Sequence, residues 1–434
     1  MAIDGKPFVG KVVSNDEAVH RLKGPKGSKV TVGVIRAGEK TLRNFTIRRD
    51  DIPIKSIQTA YMLDEKTGYI KVDQFADSTY PEFLVALAKL GQQGATRLVL
   101  DLRGNHGGFV QPAIRMAYEF LPGNRMVFYM QGRHSPRENF ISDGRGAHQS
   151  TPLIVLVDEQ TASASEIFAG SMQDNDRALI VGRRSFGKGL VQESIEFRDG
   201  SMLRLTIARY YMPSGRCVQK PYTPGDFEEY EMDFINRIKS GELESGDSIK
   251  EHGKKYYTRL GRTVYSENGI TPDVFVPEQT ELLTSYVKET SMKGLLVKYA
   301  YVYTNENRKA LSELKTWEEV AAWLKKHDVV DKFADYANKN GLPRRNLLIK
   351  KSHRLLQTYL CGYIIDDLLG RDALTRYLNS DDKCVITALK LMNEGKAFPA
   401  APKKPRQDKP KNGKERTAQA GCGVEMQAQP CFFA

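Results

Sequence analysis

Three short segments carry residues whose types and spacing could do chemistry. Thr161-Ala-Ser-Ala-Ser-Glu166 lies between an apolar run ending at Val157 and a helical pattern. A hydroxyl at such a junction, here Ser163, is exposed at a sheet edge beside the free N–H groups of the first helical turn; that suits a nucleophile, and it also suits an N-cap. Asp101-Leu-Arg-Gly-Asn-His-Gly-Gly108 runs from a strand pattern into a glycine-rich bend. Gly107 and Gly108 let backbone N–H groups face one point with no Cβ in the way, as an oxyanion site requires, although a tight strand-to-helix turn would use the same glycines.

The third segment, Gly182-Arg-Arg-Ser-Phe-Gly-Lys-Gly189, has the outline of a phosphate-binding loop. Three features oppose that reading: Gly189 stands where a Mg²⁺-binding hydroxyl is needed, no helix follows, and residues 190–197 alternate as a strand. Lys188 then has two other uses, as a solvated surface cation or as a buried base. A lysine that takes a serine proton near neutral pH must lose about 4 kcal/mol of preference for its charged form, which demands desolvation and no carboxylate partner.

These segments need a sheet to position them. Leu98-Val-Leu-Asp101 and the run 153–157 are short and wholly apolar, the mark of central strands buried on both faces. Helical patterns at 81–90, 110–120 and 164–173 and strands near 126–130, 178 and 189 complete an alternation that predicts an α/β core over residues 56–280. Loops at the carboxyl ends of such strands are where α/β active sites form. Before the core, residues 1–55 read as a small mixed unit: a helix from Ser14 or Asn15 to Leu22, a strand at 29–36, a turn at Gly38-Glu-Lys and a strand at 42–48. After it, residues 281–400 read as amphipathic helices at 317–325, 355–369 and 386–392.

The chain has 434 residues, enough for two or three structural units, with 40% hydrophobic and 27% charged residues. No run of about 18 apolar residues could cross a bilayer. The first ten residues carry no basic start, apolar stretch and small-residue cleavage site of a secretory signal. A net charge of +12 raises the question of nucleic acid, but much of the excess falls in residues 401–434, a Pro-, Lys- and Gly-rich stretch that reads as a solvated tail. No nucleic acid is expected as partner. The five cysteines form no CxxC pair and no metal-ligand spacing.

Taken together, Thr161-Ala-Ser-Ala-Ser-Glu-Ile-Phe-Ala-Gly170, Gln173-Asp174 and Ser185-Phe-Gly-Lys-Gly-Leu-Val-Gln192 resemble the signature of the carboxyl-terminal processing peptidases, or tail-specific proteases. The resemblance extends through Leu100-Asp-Leu-Arg-Gly-Asn-His-Gly-Gly108, Tyr210-Tyr-Met-Pro-Ser-Gly-Arg216 and Gly269-Ile-Thr-Pro-Asp-Val-Phe-Val-Pro277, and so covers residues 3–277. It implies Ser163 as nucleophile, Lys188 as general base and Gln192 as a side chain that holds the lysine. Gly107 or Gly108, with the N–H of Ala164, would be the oxyanion donors, and Asp174 a supporting acid.

The same resemblance implies a peptidase core of the tail-specific protease type, a partial PDZ domain in residues 1–55 that lacks its first strands, protein or peptide substrates with exposed C-terminal tails, and a place in the periplasm or cell envelope. It implies no metal or organic cofactor. A homo-oligomer built through the C-terminal region is compatible with the sequence. The competing expectation is a catalytically impaired scaffold of the same fold that binds extended peptides by strand addition.

Overall fold

The computed structural model describes residues 2–8, 15–35, 40–52, 54–223, 227–248, 253–278 and 280–402. Gly38 and Glu39 of the expected turn, Ser14 as a cap and nearly all of the basic stretch 401–434 lie outside the described residues.

The N-terminal unit is a four-stranded antiparallel sheet in the order β2 (Lys6–Pro7), β1 (Ala2–Ile3), β3 (Lys29–Val34), β4 (Arg43–Arg48), with helix α1 (Asn15–Leu22). Few of its apolar side chains are covered: Ile3 and Val30 are buried, while Phe45 and Ile47 of β4 are exposed.

At the centre lies a six-stranded sheet, ordered β16 (Val274–Phe275), β11 (Leu179–Gly182), β10 (Leu153–Val157), β7 (Arg97–Asp101), β6 (Thr67–Lys71), β5 (Thr59–Met62). All neighbours in it are parallel except β5 and β6. Because side chains alternate along a strand, the apolar runs read from sequence feed two layers at once. Leu98, Leu100, Val155, Val157 and Ile180 face the helices α2 (Thr79–Gln92), α3 (Val110–Phe120) and α4 (Ala164–Asp174) in one core, whereas Val99, Ile154, Leu156 and Val181 belong to a core on the opposite face.

A second, antiparallel sheet is ordered β12 (Leu190–Glu196), β13 (Met202–Tyr211), β8 (Met126–Gln131), β9 (Glu138–Ile141). The strands expected near 126 and 189 therefore exist but leave the central sheet. Helix α5 (Phe227–Lys239) and a hairpin of β14 (Lys255–Tyr257) and β15 (Thr263–Tyr265) follow before β16.

The C-terminal region is helical, with α6 (Ser285–Met292), α7 (Leu295–Glu306), α8 (Arg308–Leu311), α9 (Trp317–Lys326), α10 (Val329–Lys339), α11 (Asn346–Lys351), α12 (His353–Leu369) and α13 (Arg371–Asn379). Residues from Tyr286 to Ile365 supply a core of their own. The final helix, α14 (Lys383–Asn393), departs from the expected division of the chain: its Cys384, Val385, Ala388 and Met392 pack on the open face of the central sheet. No helix among the described residues is long and apolar enough to cross a membrane.

Candidate active site

Ser163 ends the loop after β10 and opens α4 with φ 57° and ψ −117°, a left-handed backbone that a side chain with Cβ rarely adopts. Such strain costs of order 1–3 kcal/mol and persists only where the surroundings over-determine it. Here the Ser163 N–H donates to Glu166 Oε2 at 3.0 Å, its carbonyl accepts the N–H groups of Glu166 and Ile167, and Ala162 N–H is held by the Asn105 carbonyl at 3.0 Å. The result is a sharp turn that leaves Ser163 half-buried at the carboxyl end of the sheet.

The loop after β7 packs directly against this turn. A Cβ on Gly107, whose φ is +97°, would lie 2.7 Å from Ser163 Cβ and 3.0 Å from the Ala164 nitrogen. A Cβ on Gly108 would lie 2.0 Å from the Phe75 carbonyl oxygen. Both glycines are thus demanded by close approach. Their N–H groups differ, however. Gly107 N–H donates to Asn105 Oδ1 at 2.8 Å and is already satisfied. The N–H groups of Gly108 and Ala164 have no partner among the described residues, although the flanking residues bridge to Phe75, with Phe75 N–H on the Gly107 carbonyl and Phe109 N–H on the Phe75 carbonyl. Of the expected oxyanion donors, Gly108 and Ala164 remain free and Gly107 has a structural role.

Lys188 arrives on the loop between β11 and β12, brought to Ser163 by a residue that sequence reasoning passed over. The Glu166 side chain is wholly buried and accepts four donors: the N–H groups of Ser163, Gly187 and Lys188 at 3.0, 2.8 and 2.8 Å, and the Ser185 hydroxyl. Burial pushes its carboxyl above the ordinary range, the hydrogen bonds opposing it. A second clasp is the Tyr210 hydroxyl on β13, within reach of the Ser163 carbonyl at 3.2 Å and of the Lys188 carbonyl. The signal for Glu166 was its position three residues after a serine at a helix start, the spacing of a capping box. Tyr210 lay in a segment marked by the resemblance, but its contacts were not readable there, since they depend on the second sheet.

Lys188 is half-buried, and among the described residues no carboxylate lies within ion-pair distance of its amine. Its Nζ and Ser163 Oγ make no hydrogen bond with each other; catalytic hydrogen bonds often tighten only with substrate in place. β12 follows at once, so the phosphate-loop outline has no helix behind it. A neighbouring lysine, Lys220, is buried and donates its N–H to the Gly187 carbonyl at 2.9 Å, but its Nζ is paired with Asp233 at 3.1 Å. Burial pushes its pKa below the usual lysine range, Asp233 opposing.

Two expected site residues are elsewhere. Gln192 stands exposed on β12, beside a bulge between Val191 and Gln192, and in this arrangement its side chain makes no hydrogen bond to Lys188. Asp174 sits at the far end of α4, whose 11 residues span about 16 Å. There its carboxylate pairs with buried Arg216 at 2.8 Å and accepts the Ser214 hydroxyl, anchoring the turn after β13. His106 is exposed and touches neither Ser163 nor Lys188 through a hydrogen bond. Among the described residues no group of three or more His, Cys, Asp or Glu could hold a metal ion.

Residues 66–228 match the model of Peptidase family S41, and residues 286–370 match a Family of unknown function (DUF8443). The chain is 40% identical over 225 residues to a carboxyl-terminal-processing protease of Synechocystis sp., covering 51% of this chain and 51% of that one. It is 30% identical over 329 residues to a probable CtpA-like serine protease of Staphylococcus aureus, covering 72% of this chain and 65% of the relative. Among solved structures, a photosystem II D1 C-terminal processing protease is 25% identical with a TM-score of 0.38, over 64% of this chain and 63% of that chain. The chain spans about half the length of the first curated relatives it matches.

Proposed function

Since this chain belongs to peptidase family S41 through its residues 66–228, we propose that it is a serine endopeptidase that cuts protein substrates near their C-terminal tails with a Ser163/Lys188 dyad. The observation that carries the reading is the strained elbow at Ser163, with the unpartnered N–H groups of Gly108 and Ala164 beside it and Lys188 tied to the same Glu166 carboxylate.

Ser163 Oγ attacks the scissile carbonyl carbon while Lys188 Nζ, in its neutral form, takes the hydroxyl proton. The tetrahedral oxyanion is held by the N–H groups of Gly108 and Ala164, donors whose loss commonly costs about a hundredfold or more in turnover. Collapse breaks the C–N bond, and Lys188 returns the proton to the leaving amine. Water, deprotonated by the same lysine, then attacks the acyl-enzyme ester and releases the carboxylate product with Ser163 restored.

Residues 56–280 would form the peptidase unit, residues 1–55 a partial PDZ unit that meets extended substrate tails, and residues 281–400 a helical region, apart from α14, that is free to mediate self-association. A place in the periplasm or cell envelope goes with this reading. The lack of a hydrogen bond between Ser163 and Lys188 favours one other reading, a peptide-binding scaffold without turnover.

The deciding experiment is cleavage of an unfolded protein such as casein by the wild type, Ser163→Ala and Lys188→Ala across about pH 6 to 10, with and without chelator. Activity lost in both variants and kept with chelator is the expected result. Ser165→Ala keeps turnover, because the Ser165 hydroxyl is buried on the Asn105 carbonyl at 3.1 Å; comparable loss there would overturn Ser163 as nucleophile. Peptide binding that survives Ser163→Ala, with no cleavage by any variant, would establish the scaffold instead.

A further inference from the structure

Helix α14 is fastened at both of its ends, at one to strand β7 and at the other to the loop that follows it. At the start, Asp382 caps the helix by accepting Val385 N–H at 2.9 Å on Oδ1, and its other oxygen accepts Arg103 Nη1 at 2.7 Å. At the finish, Asn393 Oδ1 accepts Arg97 Nη2 at 2.5 Å. Arg97 begins β7, whereas Arg103 lies in the loop that runs on to Gly107 and Gly108, so the two ties are alike in chemistry and differ in what they hold.

The tie at Arg103 spans a cavity of about 460 Å³ lined by Asp101, Arg103, Gly104, Asp158, Asp382 and others. Gly104 itself is exposed, and a Cβ there would meet nothing nearer than Gln160 Oε1 at 3.9 Å. The loop is held across this space by polar groups. Arg103 is bound between buried Asp101 and Asp382, its carbonyl accepts Lys71 Nζ at 2.7 Å, and Gly104 N–H donates to Asp158. Asp158 in turn accepts Thr161 N–H at 3.1 Å on the Ser163 loop.

The geometry points to Asp382 as a positioning residue for the oxyanion loop: the C-terminal helix, through Asp382 and Arg103, sets the placement of Gly108 and thereby the rate of acyl transfer. This rests on the reading of Ser163 and Gly108 given above. It gives the end of the chain a control over the site that the peptidase unit alone does not contain, since α14 lies well beyond the segment matched by the peptidase family.

The test uses the full chain with Asp382→Ser, which keeps a helix-capping hydroxyl but is too short to reach Arg103, and Asn393→Ala, which cuts the tie at the other end. Casein cleavage is followed as kcat and KM, and amide hydrogen exchange is read at residues 103–107. Asp382→Ser should lower kcat about tenfold or more with KM changed by less than about twofold, and speed exchange in that loop by a similar factor. Asn393→Ala should leave both near wild type. Equal effects of the two variants would reduce Asp382 to general docking of the helix and overturn the inference, as would a silent Asp382→Ser. A wild type that cleaves nothing would instead fail the peptidase reading, and the exchange measurement alone would then decide whether Asp382 orders the loop.

Discussion

The carboxylate of Glu166 accepts the backbone N–H of Lys188 at 2.8 Å, which fixes the loop of the candidate base to the first turn of the helix that carries the candidate nucleophile. Both oxygens of Glu166 are surrounded by donors, so an amide in its place would turn an NH₂ group toward other N–H groups. Glu166→Gln should lower kcat by about a hundredfold and stability by about 2–3 kcal/mol, read as turnover and as the urea midpoint. Turnover within threefold of wild type would show that the clasp is dispensable.

Glu166 also sets an expectation for acid. Burial raises its carboxyl above the ordinary 4.5, so falling pH protonates it early, and a protonated oxygen cannot accept from the N–H groups of both Ser163 and Lys188. Turnover should therefore fall on the acid side with an apparent pKa above 4.5. Stability behaves differently. A raised folded-state value means that this group's contribution is fully present below 4.5 and lost as pH rises through the folded value, so its protonation does not unfold the protein.

Asp101 has the opposite sign: burial opposes its ionisation, but Arg103 and Lys71 hold its carboxyl below the ordinary 3.8, and its contribution disappears only as pH falls past that range. Reversible loss of turnover before the unfolding temperature drops is the expected order of events, and simultaneous loss would refute it.

Gly107 and Gly104 separate close packing from backbone preference. Both have positive φ, +97° and +72°, so alanine costs each about 1 kcal/mol of backbone strain. At Gly107 the new methyl would also lie 2.7 Å from Ser163 Cβ, whereas at Gly104 the nearest atom is 3.9 Å away. Gly107→Ala should abolish measurable cleavage and lower the unfolding temperature by several degrees more than Gly104→Ala. Equal behaviour of the two would mean that the contact with Ser163 yields without consequence.

Much of this was legible in the residues themselves. The apolar runs at Leu98 and Leu153 announced central strands because a two-face-buried strand needs no polar partner, and α3 begins and ends at the expected Val110 and Phe120. The elbow at Ser163 and the glycines before it were readable because strain and close approach restrict residue type locally. What failed to show was long-range. The clasp of Tyr210 on two loops, the tie from Arg103 to Asp382 across 279 positions, and the packing of α14 on the sheet depend on tertiary placement, and a tyrosine or aspartate at those positions carries no periodic signal. Gln192 is a position marked by resemblance that lies on a strand exposed from Gln192 to Glu196, so burial gives no local cue to a partner.

That position yields the last expectation. The Gln192 side chain is exposed and makes no hydrogen bond, while the strand that carries it pairs with β13 up to Leu190 and Arg209, close behind Lys188. If this arrangement of β12 is the one that turns substrate over, Gln192→Ala changes kcat by less than about threefold, since an exposed, unbonded side chain contributes little. A loss of about a hundredfold would mean that β12 shifts in the working enzyme and brings the amide onto the lysine. Measuring exchange in residues 188–196 with and without a bound peptide distinguishes these outcomes, because such a shift must open and remake the ladder hydrogen bonds on either side of the bulge.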